Sequence, residues 1–556
     1  MKKLLFVGIN ARYTHSNLAI RYLRNFIKEL PFKTSILEFS INQNLLDILS
    51  VIHSENPDII SFSVYIWNTE VVRILLPEIK KVFPNSKIIL GGPEVSYNAE
   101  KWLENYPCID FIVAGAGEAG LYYILENKLN LHNKIVKVPN SPFSKIPFPY
   151  IDEDFPELTK KYVYYESSRG CPYKCSYCLS SRLDQPLEFK DFEAVKKELI
   201  YLIRKKPRII KFVDRTFNAK REFARKIWKF LIDVNPEMKF HFEVFPSLLE
   251  EEDFEILIDC PEGLFQFEIG IQSTNAETLK EIRRPDNWRI TKHKIMRLIN
   301  QKNIHVHVDL IAGLPYEDFS SLKTSFNEIY SLYPDYFQLG FLKVLPGTEM
   351  SERIDEYGIK TLETSPYQVL ETKWLYYEEL VQIQDIEKLL NIYYNSGKFK
   401  TTLENITNQF EYPFDFYLNF SLFLKSQEYT SETKDWQKNE YILVNFIKDN
   451  FPDELNYFLD CLRWDWCYIT NAHYYPEFLQ NKYLKNAKEL GFEYLKQKSK
   501  EGKIRYKNLY FPLSDLKKAV FFIPSSEKFK KKYFGDLDIA VILKINNKKE
   551  CIKFKI

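Results

Sequence analysis

Tyr162-Val-Tyr-Tyr-Glu-Ser-Ser-Arg169-Gly-Cys171-Pro-Tyr-Lys-Cys175-Ser-Tyr-Cys178 joins a short apolar run to three cysteines within eight residues. Tyr162–Arg169 reads as the first strand of an α/β series, and the cysteine loop follows it directly. Three thiolates on one loop can hold three irons of a cubane cluster and leave the fourth iron without a protein ligand. An open position on a metal is where a substrate or cofactor binds, so the spacing points to catalysis. The other readings are a zinc loop or three unrelated thiols. A structural zinc site wants a fourth Cys or His, usually in a second paired knuckle, and no such pair follows within the expected distance. The remaining cysteines, Cys108, Cys260, Cys461, Cys467 and Cys551, are scattered.

Downstream of the loop, strands are expected at Ile209–Asp214, Lys239–Phe245, Leu264–Ile271, Ile304–Leu310 and Tyr336–Val344, with helices between them. Six strands at βα spacing fit a full or partial barrel, whose chemistry belongs at the C-terminal strand ends. Upstream, Lys3–Ile9, Thr34–Phe39, Asp58–Val64, Lys87–Leu90 and Asp110–Ala114 are compact apolar runs. Leu18–Leu30, Leu45–His53, Thr69–Phe83 and Ala99–Asn105 between them have helical spacing or helix-forming composition. Strict alternation implies a doubly wound parallel sheet, with ligands beyond the carboxyl ends of its strands. Four polar or glycine-rich turns fall there: Asn10 to His15, Ser61-Phe-Ser63, Gly91-Gly92-Pro93-Glu94 and Gly115-Ala-Gly117-Glu118. Asn10, Ser63, Gly91, Gly92, Gly115 and Glu118 are the candidate ligand contacts. None of these turns is the GxGxxG dinucleotide fingerprint, which argues against NAD.

At 556 residues the chain is too long for one core. Four segments are expected: a Rossmann-type domain over 1–132, a proline-rich linker over 133–160, the second α/β domain over 161–355, and an extension over 356–556. The extension reads as mainly helical, with a short β region near Ile504–Phe511, Ala519–Pro524 and Ile539–Ile545. A formal net charge of +2 shows no basic excess that would point to nucleic acid. The apolar start Met1–Gly8 ends at Asn10-Ala-Arg12 with no small-residue cleavage site, so a first strand is the better reading than a signal peptide. No apolar run reaches the length of a membrane span. Eight cysteines in so long a chain do not make a disulfide framework, and a reducing cytoplasm suits an oxygen-sensitive cluster.

The C-x3-C-x2-C spacing after a first strand resembles the radical S-adenosylmethionine (SAM) superfamily. The resemblance continues through Tyr177, the aromatic residue before the third cysteine, and implies packing near the adenine. Phe212-Val-Asp214-Arg-Thr-Phe-Asn218 is similar to the segment that binds the methionyl amino group, although its usual Gly-Gly-Glu is missing. Glu243, Gln272 and Ser273 match positions at later strand ends, and the resemblance implies that they contact SAM. Asp309-Leu-Ile-Ala-Gly313-Leu-Pro315 and Leu345-Pro-Gly347-Thr348 are similar to the family's later segments. Cys171, Cys175 and Cys178 then ligate a [4Fe-4S] cluster, which reduces SAM to a 5′-deoxyadenosyl radical. Arg169 and Lys174 flank the loop and either favour the reduced cluster or are solvated. His305 and His307 read as core or pocket-lining residues.

A doubly wound domain ahead of such a barrel resembles the cobalamin-binding class. The axial-histidine motif D-x-H-x-x-G is absent; Arg12-Tyr-Thr-His15-Ser-Asn stands in its place, so cobalamin is expected without that histidine switch. The extension resembles the uncharacterised one of a bacterial subgroup. These resemblances imply a cobalamin-dependent radical SAM enzyme, a methyltransferase acting on an unactivated carbon. Alternatives are a non-methylating rearrangement or cyclisation, and a non-catalytic cobalamin or metal sensor. A tRNA methylthiotransferase fits less well, because only Cys108 stands where that family carries a second three-cysteine cluster. The expected partners are a small-molecule or peptide substrate and a reductant such as flavodoxin or ferredoxin, with no membrane and no nucleic acid. Cys461 and Cys467 read as core thiols rather than auxiliary ligands.

Overall fold

The computed structural model describes residues 1–181, 186–429, 435–469, 475–480, 483–500, 502–506, 509–545 and 548–555. Its first sheet contains β1 (Lys2–Asn10), β2 (Phe32–Ser40), β3 (Ile59–Ser63), β4 (Lys87–Gly91), β5 (Phe111–Val113) and β6 (Ile135–Val136). The order is β2-β1-β3-β4-β5-β6, with every pairing parallel. Leu4–Ile9 are buried without interruption, as in a sheet with helices on both faces. β6 lies inside the stretch read as linker, so the proline-rich segment starts after it. That segment then runs along the first domain. Phe143 and Ile146 pack with Tyr22, and Arg24 donates to Asp154 at 2.7 Å and to the Pro149 carbonyl at 3.0 Å.

The cysteine loop belongs to the second α/β series. β7 (Tyr162–Tyr165) leads into a two-stranded antiparallel ribbon of β8 (Ser168–Arg169) and β9 (Glu188–Phe189). The series continues with β10 (Ile209–Phe212), β11 (Lys239–Glu243), β12 (Phe265–Gln272), β13 (His305–Ala312) and β14 (Tyr336–Phe341). The sheet order is β14-β13-β12-β11-β10-β7, a six-stranded partial barrel. Strand parity decides what each side chain meets. On β12, Phe265, Phe267, Ile269 and Ile271 are buried, while Gln266, Glu268, Gly270 and Gln272 stay half-buried; β13 repeats the alternation. The buried face joins an aromatic core in which Phe242 lies 4.6 Å from Phe212 and 4.4 Å from Phe217. Each such buried ring contributes about 1.5–3 kcal/mol. Barrels usually fill their interior with branched aliphatics. Here the inner face carries Tyr164, Lys211, His241, Glu268, His307 and Asp309.

The chain divides into two compact units, residues 1–334 with 340–380, and 335–339 with 381–556. Residues 356–380, read from sequence as part of the extension, pack with the first unit. Val369 N–H donates to the Leu342 carbonyl at 2.9 Å, and the Tyr357 hydroxyl donates to Glu281 at 2.5 Å. The second unit is mainly helical and ends in two three-stranded antiparallel sheets. Of the β region expected over Ile504–Phe511, residues 507–508 lie outside the described residues. Cys461 and Cys467 are fully buried in the helix Leu455–Ile469, as core thiols. Among the described residues, no helix is long and apolar enough to cross a membrane.

Candidate functional site

The cysteine loop is pinned by its backbone on both sides. Ser176 N–H donates to the Ile282 carbonyl at 3.0 Å, and Met350 N–H donates to the Ser176 carbonyl at 2.9 Å. Cys175 is buried, while Cys171 and Cys178 are half-buried. Burial pushes the Cys175 thiol up, opposed by the Arg284 guanidinium and by a hydrogen bond from the Tyr177 hydroxyl. Arg284 also donates to the Gly270 carbonyl and lies over the Phe245 ring at 4.7 Å. Tyr173 stacks on that same ring at 4.5 Å. Among the described residues, no three His, Cys, Asp or Glu side chains are gathered closely enough to hold one metal ion.

The strand ends divide by parity. Asp214 lies two residues past the end of β10 and is 1% exposed. Its carboxylate accepts from the Ser167 hydroxyl at 2.6 Å, the Ser168 hydroxyl at 2.6 Å and Ser167 N–H at 3.1 Å. Burial lifts its pKa to about 6. This residue braces the β7–β8 connection ahead of Cys171. Ser273 is fully buried and donates to Glu317 at 2.6 Å.

Glu243 and Gln272 do face inward. Glu243 pairs with Arg215 at 3.9 Å, and burial raises its pKa to about 7. Gln272 adopts φ +73° at an irregularity in the β12–β13 register. Its Oε1 is buried without a partner. A non-glycine residue held there costs about 1 kcal/mol or more and is typical of functional sites. A Cβ on Gly270 would run into the end of the Gln272 side chain, which would have to move.

Arg215 and Arg284 were not singled out from sequence. Burial opposes the Arg215 charge, but Glu243, Cys178 and Cys171 together hold it in the charged form. Its side chain nevertheless keeps 57% of its exposure. Arg169, expected near the loop's field, is committed elsewhere. It donates to Glu118 at 3.0 Å and Glu166 at 2.8 Å and lies over the Phe143 ring at 4.9 Å.

On the first sheet, Asn10, Ser63 and Glu118 are hydrogen-bonded within the protein. Asn10 donates to the His15 carbonyl at 3.0 Å and to Glu38 at 3.1 Å. Ser63 accepts from Asn17 at 2.7 Å, and Glu118 is the partner of Arg169. A Cβ on Gly91 would make only ordinary contact with Val113, at 3.8 Å. Gly92, at φ +111°, is required, because a Cβ would strike the Val64 carbonyl. Gly115, at φ +108°, would direct a Cβ into open space. Sequence reading missed Tyr65 and Trp67, which stack at 4.4 Å in the loop after β3. Burial raises the Tyr65 hydroxyl to about 12, and Arg215 of the barrel opposes that shift. His15 bonds through Nδ1 to the Tyr164 hydroxyl at 2.6 Å, tying the loop after β1 to the first barrel strand.

Residues 4–124 match the B12 binding domain family, and residues 165–329 match the Radical SAM superfamily. The chain is a radical SAM protein with an N-terminal B12-binding domain. Residues 355–551 of this radical SAM protein match a family described as a protein of unknown function, DUF4080. Among curated proteins it is 24% identical to the cobalamin-dependent radical SAM methyltransferase TokK of Streptomyces tokunonensis, covering 66% of this chain and 59% of the relative. It is 27% identical to the anaerobic magnesium-protoporphyrin IX monomethyl ester cyclase of Synechocystis, covering 54% and 64%. The chain thus spans about three-fifths of the length of these relatives. The fold is shared with OxsB solved with aqua-cobalamin, at TM-score 0.59 and 15% identity over 84% of this chain and 79% of that one. TsrM from Kitasatospora setae, with cobalamin and a [4Fe-4S] cluster, gives TM-score 0.55 and 15% identity over 66% and 82%.

The donor set fits the groups that this class of fold implies. Three thiols with two guanidinium groups beside them suit an anionic iron–sulfur cluster. The orphaned Gln272 oxygen suits a ligand carrying N–H donors, as SAM does. The open space at Gly115 and the close approach at Gly92 suit a large ligand lying on the strand ends of the first sheet.

Proposed function

We propose that the chain is a cobalamin-dependent radical SAM enzyme that methylates an unactivated carbon of a hydrophilic substrate. Arg215 carries this reading: it lies in the field of Cys171 and Cys178 on one side and of Tyr65, from the B12-binding domain, on the other. Arg215 therefore stands between the cysteine loop and the loop after β3 of the first sheet. When bound, the cluster supplies the electron that splits SAM into methionine and a 5′-deoxyadenosyl radical, and cobalamin supplies the methyl carrier. Cys171, Cys175 and Cys178 hold the cluster. Arg284 and Tyr177 favour its negative charge by donating toward Cys175. Gln272 and Glu243 orient SAM. Gly92, Gly115, Tyr65 and Trp67 border the corrin.

The inner barrel face points to the substrate class. His241 and Glu268 bond at 2.8 Å, His307 and Asp309 lie 3.0 Å apart, and Lys211 stands near Glu268. An apolar ligand would strip water from these groups without replacing their hydrogen bonds, at about 1–3 kcal/mol each. A substrate rich in hydrogen-bonding groups satisfies them. A flavodoxin- or ferredoxin-type reductant in the cytoplasm completes the proposal.

The test is anaerobic reconstitution with iron, sulfide and cobalamin, followed by SAM and a reductant. Release of 5′-deoxyadenosine that disappears in Cys175→Ala supports the reading. No release, or equal release from that variant, refutes it. Cobalamin and SAM both bound with no turnover would favour a sensor instead.

A further inference from the structure

The segment that follows β10 reaches the cysteine loop with more than the Asp214 brace. Thr216, two residues further on, holds its hydroxyl 3.7 Å from the Cys171 sulfur, within the longer reach of a sulfur partner. The residue is 5% exposed, so the protein and not water must satisfy that hydroxyl. Among the described residues, Cys171 is the partner that does so.

Both flanks of Thr216 are anchored, which fixes where the hydroxyl points. On one side, Val213 N–H donates to the Tyr165 carbonyl at 2.9 Å, and Asp214 takes its bonds from Ser167 and Ser168. On the other, Phe217 is buried with its ring 4.4 Å from that of Phe242. Asn218 then exchanges two 2.9 Å bonds with the Phe245 backbone. Ala219 N–H closes a turn on the Thr216 carbonyl at 3.0 Å.

A free thiol and a hydroxyl can each donate. A cysteine bound to iron is a thiolate without a proton, so the hydroxyl has to be the donor. Reducing an iron–sulfur cluster adds negative charge that its sulfurs share. A donor aimed at one of those sulfurs therefore favours the reduced form and raises the potential. Cys175 has Tyr177 and Arg284 as donors. Thr216 gives Cys171 a neutral donor, so removing it deletes a hydrogen bond and leaves the charge of Arg215 in place.

We propose that Thr216 is a positioning residue that acts on the cluster through Cys171: its hydroxyl donates to the Cys171 sulfur and raises the reduction potential. The proposal rests on the reading of Cys171, Cys175 and Cys178 as cluster ligands.

Full-length protein is reconstituted anaerobically with iron, sulfide and cobalamin. The reduced cluster is followed by electron paramagnetic resonance through a potentiometric titration without SAM. Thr216→Val keeps the side chain's shape and removes the donor. It should lower the reduced-to-oxidised ratio at a given potential about tenfold, a shift of ~59 mV for a one-electron couple. Thr216→Ala removes the donor with no steric demand and should shift the same way. Thr216→Ser restores the donor and should stay close to wild type. Iron content per chain reports cluster assembly in each variant. Potentials unchanged in Thr216→Val and Thr216→Ala, or an equal shift in Thr216→Ser, overturn the proposal while the cluster stands. Iron uptake lost in both donor-free variants also overturns it, because the residue then builds the loop and does not tune the cluster. A wild-type protein that assembles no [4Fe-4S] cluster overturns the underlying reading as well.

Discussion

Replacing Asp214 tests how the cysteine loop is held. The carboxylate is buried and accepts from three donors, Ser167 N–H and the Ser167 and Ser168 hydroxyls. Asp214→Ala strands those donors away from water, at about 1–3 kcal/mol each. Some relaxation of the hydroxyls brings the expected loss to about 3–6 kcal/mol. The two serines lie just ahead of Cys171, so iron content after reconstitution should fall with stability. Titration supplies an independent check. Burial lifts this carboxyl from 3.8 to about 6, so the folded state holds the proton more tightly than the unfolded state. Its contribution is full below about pH 4 and is lost as pH rises through 6, by up to about 3 kcal/mol. Asp214→Asn cannot titrate and should lack that part of the slope. The assay is urea unfolding of the apo protein at pH 5 and 7.5, following the first unit's transition. An Asp214→Ala variant within 1 kcal/mol of wild type with full iron content, or an Asp214→Asn variant with the wild-type slope, refutes this role.

Three further perturbations follow from the geometry. Gln272→Gly should relieve the φ +73° strain and stabilise the apo protein by about 1 kcal/mol, yet weaken SAM at least tenfold in equilibrium dialysis. Unchanged affinity would remove Gln272 from the site. Gly92→Ala should lower retained cobalamin severalfold by forcing the β3 and β4 loops apart, read from the cobalamin absorbance of purified protein. Arg169→Ala leaves Glu118 and Glu166 largely buried and unpaired, a loss of about 3 kcal/mol. Limited proteolysis should then cut sooner between residues 137 and 161, and a wild-type rate there would contradict the clamp.

The fold was legible because both α/β series announce themselves through apolar runs at βα spacing, and the cysteine loop fixes which end of the barrel is used. Inside the site, strand parity separated what could be read from what could not. On β10, Ile210 and Phe212 share the covered face and Lys211 takes the other, but Asp214 and Arg215 lie past the strand end, where alternation no longer assigns a face. The same parity places Gln272 inward with Glu268 and Ser273 outward toward Glu317. Arg284 carries no such signal: it reaches Gly270 from a turn fourteen residues downstream, a juxtaposition only the tertiary fold makes. Asn10, Ser63 and Glu118 lie at the expected strand ends. Polar residues there either meet a ligand or tie loops together, and a one-dimensional pattern does not distinguish the two.

The most direct measurement is mass spectrometry of the products from methyl-deuterated SAM, with reconstituted enzyme and reductant, in the presence and absence of cobalamin. Methyl transfer predicts 5′-deoxyadenosine together with S-adenosylhomocysteine, the latter only when cobalamin is present. S-adenosylhomocysteine formed equally without cobalamin, or 5′-deoxyadenosine with no S-adenosylhomocysteine, would contradict cobalamin-dependent methylation.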